Sequence, residues 1–182
     1  FNVARKICTR YNYSMTNQDV SKILRNVAAA YTIKDEKKHL FQIIAYQNAS
    51  EAISRLPIEL KELLKEKDGQ KIPGIGPTIR AHLEELFKTG RVKHFETVLR
   101  GIPDSIFPLL DVTSLGPKRA HKLVTSLKLN RANTVVDDLI KAARNGKIAE
   151  IPTFGEKSQQ DILRALKEFK LGKTKSNRMP LP

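Results

Sequence analysis

The sequence predicts an all-α protein built from small helical units. From residue 16 onward, apolar residues recur at intervals of three and four, which is the period of an amphipathic helix. No stretch of alternating β-branched residues indicates a strand, and a short glycine-containing turn recurs between the helical segments. A chain of 182 residues, 40% of them hydrophobic, can form one or two small cores. We therefore expect two small helical subdomains.

The composition narrows the kinds of partner that the protein can have. A single cysteine excludes a disulfide framework, and no run approaches the roughly 20 consecutive apolar residues of a membrane-spanning helix. Lys and Arg total 33 against 19 Asp and Glu, which gives a formal net charge of +14. A charge of this size favours a polyanionic partner, nucleic acid first, and no membrane partner is expected.

The first 14 residues differ in character from the rest of the chain. Residues 1–14 are basic, acid-poor and without clear periodicity, and we interpret them as an extension. Thr16 and Asn17 suit the start of a first helix because their side chains can cap backbone N–H groups. The residues predicted to form the buried face of this helix are Val20, Ile23, Leu24 and Val27.

Two more helices are predicted before the first glycine-containing turn. The second covers about residues 38–55, and the third has Pro57 in its first turn and ends at Asp68 and Gly69. The predicted core residues are Phe41, Ile44, Ala45, Ala49 and Ile53 in the second helix, and Leu60, Leu63 and Leu64 in the third.

One turn pattern occurs three times in the chain. An apolar residue is followed by two small or turn-forming residues, a second apolar residue and a glycine, after which an amphipathic helix begins. The final glycines lie 40 and then 39 residues apart, and this spacing indicates a repeated supersecondary unit. The three copies are residues 72–76 with Gly74 and Gly76, residues 112–116 with Ser114 and Gly116, and residues 151–155 with Gly155.

A helix with a single apolar stripe comes after each turn. The stripes comprise Ile79, Leu83, Leu86 and Phe87, then Ala120, Leu123, Val124 and Leu127, then Ile162, Leu163, Leu166 and Phe169. Another helix is predicted before the third turn. Thr134 would cap it with Asp137 at the third position, and Gly146 would end it.

A turn of this kind is suited to binding a phosphate group. The first N–H groups of the helix after the turn have no partner within that helix, and the helix dipole favours an anion beside them. A Cβ at Gly74 or Gly76 is expected to obstruct the approach of a phosphate. Neighbouring lysines and arginines would neutralise further phosphates without reading base sequence. The alternative is a helix pair whose glycines only cap and pack, as in helical protein-interaction domains.

The order of these motifs resembles the amino-terminal region of a family X DNA polymerase, of the bacterial and archaeal type related to DNA polymerase beta. The resemblance covers about residues 16–182 and rests on residues 40–49, the first turn with residues 88–90, residues 114–117, and residues 142–147 leading into 154–157. It implies a lyase-like domain at residues 15–95, a fingers-like domain at residues 96–171 and a basic tail at residues 172–182. The first domain would hold the 5′-phosphate side of a DNA gap, and the second would hold the primer backbone.

The resemblance also implies particular binding residues. It places monovalent cations, K⁺ or Na⁺, on turn carbonyl groups beside a DNA phosphate. Those carbonyls would belong to Gln70, Ile72 and Ile75, and to Leu110, Val112 and Leu115. The expected DNA contacts, from the family motifs and the flanking charges together, are Tyr46, Lys71, Gly74, Ile75, Gly76, Arg80, Ser114, Gly116, Lys118, Arg119, Lys122, Gly155 and Lys157.

Two departures from the family limit the expected chemistry. The polymerase palm and its acidic Mg²⁺ ligands would begin about where this chain ends, so neither a Mg²⁺ site nor polymerisation is expected. The lysine that forms a Schiff base in the family's lyase reaction falls at His82, and an imidazole cannot form that imine. No catalytic residue is therefore assigned.

The main expectation is a monomeric module that binds gapped or nicked duplex DNA without sequence specificity. Its expected location is a bacterial or archaeal cytoplasm or nucleoid, with an organelle or a nucleus as alternatives. Two other functions stay open. A substitute amine on Lys71 or Lys93 could retain 5′-deoxyribose-phosphate lyase activity, or the helical hairpins could form a protein-interaction scaffold in DNA repair.

Overall fold

The computed structural model describes residues 15–65 and 72–172, and every regular element within those ranges is helical. The predicted all-α class is confirmed. The chain divides into two compact units, Phe1–Ile102 and Pro103–Pro182. The predicted extension at residues 1–14 and all but the first residue of the predicted tail lie outside the described residues. None of the helices described is long and apolar enough to cross a bilayer.

The first unit begins with a helix whose start is fixed by a capping box. Its helices are α1 Asn17–Asp35, α2 Leu40–Ser54, α3 Leu60–Lys65, α4 Pro77–Thr89 and α5 Lys93–Leu99. Thr16 Oγ1 accepts the N–H of Asp19 at 3.2 Å, and the Asp19 carboxylate accepts the N–H of Thr16 at 3.0 Å. The four predicted core residues of α1 are buried, as expected.

The buried face of α2 differs from the prediction. Ile43 and Tyr46 are buried, whereas Phe41 is 84% exposed. The segment around them is apolar on nearly every side, so its period does not choose a face. Contacts with α1 make the choice, because Tyr46 stacks on Tyr31 of that helix. The residues wrongly predicted as core are Phe41, Ile44 and Ala45, while Ala49 and Ile53 are buried as predicted.

A side chain from α1 fixes the segment that leads into α3. The Asn17 amide oxygen accepts the N–H of Leu60 at 2.7 Å, and its nitrogen donates to the carbonyl of Ile58 at 2.9 Å. The helix therefore begins at Leu60, and the prediction of Pro57 in its first turn is wrong. Leu60 is fully buried, with Leu63 and Leu64 packed against the same core. The predicted end at residues 68–69 lies outside the described residues.

The helices α4 and α5 complete the first unit. Pro77 occupies the start of α4, and Gly90 ends the helix in the left-handed conformation with a φ of 73°. The predicted stripe is buried except for Phe87, which is half-buried. The short helix α5 is absent from the sequence prediction, although Phe95 and Val98 bury it in the core.

The second unit contains one 3₁₀ helix and three α-helices within its described residues. Their bounds are Asp104–Asp111 for the 3₁₀ helix, Pro117–Ser126 for α6, Val135–Arg144 for α7 and Glu156–Lys170 for α8. The fully buried large side chains of this unit are Ile106, Leu109, Leu115, Leu123, Leu139, Ile148, Ile162 and Leu166.

The start of α7 departs from the predicted capping box. Thr134 is the N-cap residue, but its side chain makes no hydrogen bond to the helix backbone. Its hydroxyl donates to the Asp138 carboxylate at 2.7 Å, and Asp137 instead pairs with Lys170 at 2.5 Å. Gly146 comes just after the helix with a φ of 75°, consistent with its predicted role at the end of α7.

Candidate functional site

The turn before α4 has the geometry of a tight helical hairpin. The N–H of Ile75 donates to the carbonyl of Ile72 at 3.1 Å. Gly74 has a φ of 83°, in the left-handed region that disfavours side chains. The helix then starts at Gly76, whose carbonyl accepts the N–H of Arg80 at 2.9 Å. The turn is therefore followed directly by the first N–H groups of α4.

The same geometry recurs at the other two copies of the motif. Ser114 and Thr153 occupy the position of Gly74, with φ values of 69° and 80°. Two non-glycine residues in this region indicate that the surrounding packing imposes the turn. The matching turn bonds run from Leu115 N–H to Val112 O at 3.2 Å and from Phe154 N–H to Ile151 O at 2.9 Å.

The glycine at each helix start leaves an open surface. Gly76, Gly116 and Gly155 are N-cap residues without a side-chain cap. A Cβ added to any of them would meet no atom within 4 Å. The space beside all three helix starts is therefore open, and the contact of Gly76 with a phosphate stays a prediction.

Gly74 has a different role from the predicted one. A Cβ at this position would lie 3.1 Å from the Cβ of Ala52 and 3.4 Å from the carbonyl oxygen of Asn48, both in α2. The absent side chain makes room for α2, so the prediction that a Cβ at Gly74 would obstruct a phosphate is corrected. Close packing of the turn against α2 requires glycine here.

Two of the predicted cationic contacts join the second and third hairpins to each other. Arg119 donates to the carbonyl of Ser114 at 2.9 Å, and its guanidinium lies 5.3 Å from the ring centroid of Phe154. Lys122 donates to the hydroxyl of Thr153 at 3.0 Å. We call these contacts the hairpin clasp. The clasp makes the two turns neighbours on one surface, with Lys118 and Lys157 exposed.

A buried side-chain amide also supports the segment that leads into the third hairpin. Gln159 is 6% exposed, and its side-chain oxygen accepts the N–H groups of Ile148 and Ala149 at 3.2 and 3.1 Å. These bonds satisfy backbone donors in the segment before the turn. Sequence reasoning did not single out Gln159, since a glutamine within an amphipathic helix gives no signal of burial.

The residues of the first unit that are predicted to contact DNA lie in different environments. Arg80 forms an ion pair with Glu84 at 3.0 Å, which is the helical i,i+4 pairing. Tyr46 is only 4% exposed and its hydroxyl is bonded to a histidine. Lys71 and Gln70 lie outside the described residues. Ile75 is half-buried at the turn itself.

His82 lies in a cluster of rings. Its Nδ1 atom is 3.0 Å from the hydroxyl of Tyr46, and its ring stacks on that of His94 with centroids 4.7 Å apart and planes 9° apart. Burial lowers the pKa of His82, and the neighbouring His94 lowers it further, whereas Glu85 acts in the opposite direction.

His94 is a member of this cluster that sequence reasoning did not select. Its Nε2 atom lies 2.9 Å from the hydroxyl of Tyr31. No local pattern in the sequence pairs His94 with His82, because the two residues lie on different helices. The fold of the first unit brings the two rings, on α4 and α5, together.

The remaining predicted ligands are backbone carbonyl groups at the turns. The carbonyls of Ile72 and Val112 each accept the turn hydrogen bond, and Leu110 is buried in the 3₁₀ helix. A carbonyl oxygen has two lone pairs, so a turn bond leaves one for a cation. Within residues 15–65 and 72–172, no group of three or more His, Cys, Asp or Glu side chains could hold a metal ion.

The repeated turns and a match to one family model indicate the class of protein. Residues 15–92 match the family model described as a helix-hairpin-helix domain. This match covers four of the helices in full and the first glycine turn, so the first unit is similar to a helix-hairpin-helix domain.

The relationship to a particular protein extends further along the chain. Over 154 residues, this chain is 27% identical to the DNA polymerase/3′-5′ exonuclease PolX of Bacillus subtilis. The alignment covers 85% of this chain and 25% of that protein. The resemblance to family X DNA polymerases is thereby confirmed. The chain spans about a quarter of the length of the curated relative it matches.

Proposed function

We propose that this chain binds the phosphate backbone of DNA without reading base sequence, as part of a family X DNA polymerase. The observation that carries the proposal is the recurrence of one hairpin geometry at three places. Each hairpin presents a helix start with an open glycine N-cap. The net charge of +14 and the similarity to PolX support the same function.

The physical basis is the affinity of a helix start for an anion. Backbone N–H groups at the start of α4, α6 and α8 lack partners within their helices and carry the positive end of the helix dipole. A phosphate oxygen can accept from them only where no side chain intervenes. Such contacts hold the backbone and leave base identity unread. Lys118 and Lys157, both exposed near their turns, would add counter-charge.

The proposed DNA substrate is a gapped or nicked duplex. In this proposal the first hairpin binds the 5′-phosphate side of the gap, and the second and third hairpins bind the primer strand. The hairpin clasp supports a shared role for the latter two, because it fixes one turn beside the other. The location proposed for this activity is the bacterial nucleoid.

Monovalent cations belong to the proposal as well. The carbonyls of Ile72 and Ile75 in the first turn, with those of Val112 and Leu115 in the second, would hold K⁺ or Na⁺. The shared turn hydrogen bond supports a common site in both places. A cation bound there would supply positive charge beside a phosphate.

Charge substitutions at the open glycines test the proposal. Asp and Asn are nearly isosteric and are both good N-cap residues, so the two variants should fold alike. Gly76→Asp puts a carboxylate on the N–H groups that a phosphate would use, whereas Gly76→Asn adds the same bulk without charge. Fluorescence anisotropy with a gapped duplex should give at least about tenfold weaker binding for the Asp variant than for the Asn variant.

Two further measurements complete the test. The logarithm of the affinity should fall linearly with the logarithm of the salt concentration, because counterions are released from DNA. A duplex with a 5′-phosphate at the gap should bind more tightly than one with a 5′-hydroxyl. Equal affinities of the Asp and Asn variants, with an affinity independent of salt, would favour a protein-interaction scaffold and refute the proposal.

A further inference from the structure

A groove between α7 and α8 lies apart from the three hairpin turns. It has a volume of about 590 Å³, which is within the range of ligand-binding clefts. We call this surface the α7–α8 groove. The third hairpin is at the start of α8 and the groove is at its end, so the 15 residues of the helix separate the two by about 22 Å. The lining of the groove includes Ile140, Lys141 and Arg144 of α7, with Lys167, Lys170 and Leu171 at the end of α8.

Cationic side chains from both helices line the groove. Lys141 and Arg144 are one helical turn apart on α7, Lys167 comes from α8, and all three are exposed. Within the described part of the chain, none of the three forms an ion pair. Lys170 differs, because it pairs with the carboxylate of Asp137 at 2.5 Å. The groove therefore carries unpaired positive charge from both sides.

Other charges in the groove disfavour a phosphate backbone. Asp137 and Asp138 both line it. The hydrogen bond and the charge of Lys170 lower the pKa of Asp137, and Asp138 accepts the hydroxyl of Thr134 at 2.7 Å. The end of α8 adds the negative end of its helix dipole. A continuous row of phosphates would lie against these negative groups, whereas a few well-placed carboxylates can reach the lysines and the arginine alone.

The groove also contains apolar surface. Ile140 lines it from the buried side of α7, and Leu171 is 76% exposed just after α8. Among the large apolar side chains that the structure describes in the second unit, only Leu171 is exposed. The N–H of Leu171 donates to the carbonyl of Lys167 at 3.1 Å, which fixes its backbone at the helix end. An apolar side chain of a peptide can cover this leucine, whereas a phosphate group cannot.

The chain's own tail does not supply a charge that complements the groove. Residues 173–182 include Lys173, Lys175 and Arg178 and contain neither Asp nor Glu. Like charges repel, so this segment is a poor match for the unpaired cations of the groove. The complementary occupant is a segment of another protein that carries negative charge.

We propose that the α7–α8 groove binds an acidic segment of a partner protein, in which an apolar residue lies between Asp or Glu residues. The carboxylates pair with Lys141, Arg144 and Lys167, and the pair with the arginine can be bidentate. The apolar residue covers Leu171 and adds the affinity that exposed ion pairs lack. This interaction is independent of the proposed function, because a partner held at the end of α8 leaves the hairpin turns open to DNA.

Fluorescence anisotropy with designed peptides tests the proposal on the whole chain. The probe is a fluorescein-labelled peptide of repeated Glu-Leu-Asp units. One control peptide has serine in place of each leucine, and the other has Gln and Asn in place of the acidic residues. The leucine-containing acidic peptide should bind at least about tenfold more tightly than either control. Equal binding of the serine peptide, which would reflect net charge alone, or no binding of the leucine peptide would overturn the proposal.

Substitutions in the chain locate the peptide. The double variant Arg144→Glu and Lys167→Glu changes two exposed side chains, so it should fold, which far-UV circular dichroism can verify. It should bind the leucine peptide at least about tenfold more weakly. The matched control, Lys61→Glu with Lys88→Glu, makes the same charge change at exposed positions of the first unit and should stay within about twofold. Leu171→Ser should weaken the leucine peptide about threefold or more and leave the serine peptide unaffected. Equal weakening by the two double variants would contradict a site in the groove.

Amide NMR separates a peptide site from a further DNA contact. The leucine peptide should shift the resonances of Lys141, Arg144 and Leu171, and a gapped duplex should shift those of Gly116 and Gly155. A duplex that displaces the peptide and shifts the groove resonances would make the groove part of a DNA surface and overturn the proposal. A chain that binds the peptide in the groove but no duplex would refute the proposed DNA function alone, so the two failures are distinguishable.

Discussion

Replacing Gly74 with alanine should destabilise the first unit. The backbone there has a φ of 83°, and the new Cβ would lie 3.1 Å from the Cβ of Ala52. The left-handed conformation costs a residue with a side chain about 1–2 kcal/mol. Crowding against α2 adds to this, so we expect a total loss of about 2–3 kcal/mol.

A matched control isolates the crowding from the backbone strain. Gly90 ends α4 in the same unit with a φ of 73°, and a Cβ there would meet nothing within 4 Å. Gly90→Ala should therefore cost only the strain, about 1–2 kcal/mol. The difference between the two variants measures the contact of the turn with α2.

Tyrosine fluorescence during urea denaturation is the assay. Among the described residues, the tyrosines are Tyr31 and Tyr46, both buried in the first unit, so the change in their fluorescence on unfolding reports that unit. With an m-value of about 1–3 kcal/mol per molar urea, the midpoint of Gly74→Ala should fall by roughly 1 M or more. A midpoint equal to that of Gly90→Ala would refute the contact, and two midpoints equal to that of the unsubstituted chain would refute the left-handed geometry itself.

Four other outcomes are expected. Ser114→Gly should raise the free energy of unfolding of the second unit by up to about 1 kcal/mol, because glycine relieves the strain of the positive φ of 69°. Unfolding followed by far-UV circular dichroism measures this change, and no change would contradict the strain. A double-mutant cycle of Arg119→Met and Phe154→Leu should give a coupling of about 0.5–1 kcal/mol, and a coupling of zero would remove the cation–π contact from the clasp. The pKa of His82 is lower in the folded chain than its ordinary 6.5, so the unfolded chain binds more protons between the two values. Stability of the first unit should therefore fall as the pH drops below about 6.5, less so in His82→Gln, and an unchanged slope in that variant would contradict the assignment. Thr16→Ala should cost about 1 kcal/mol by removing the capping box, whereas Thr16→Ser should cost little in the same urea titration.

The turns could be predicted from the sequence because their information is local. A five-residue pattern at a spacing of 39 to 40 residues predicts the turn and the helix start at each copy, whereas the turn hydrogen bond and the left-handed position are known only from the structure. Glycine stands at that left-handed position only in the first copy. The replacements Ser114 and Thr153 keep the conformation, so the packing around those turns compensates for their side chains.

The face of α2 could not be predicted in the same way. Its first residues are apolar on nearly all sides, so periodicity allows more than one buried face. The ring of Tyr31 on α1 selects the Tyr46 side, which leaves Phe41 in solvent. A contact between residues far apart in sequence decided this orientation.

By itself, the sequence determined the all-α class, the three hairpins with their helix starts, and the strong positive charge, because each depends on residues close together in the chain or on composition alone. Only the tertiary structure decided which partner each side chain has. It brought His82 to His94, set Gly74 against α2, and turned Arg119 toward the third hairpin. The physical reason is that packing between helices joins residues whose separation along the chain has no period, and no local pattern specifies such a contact.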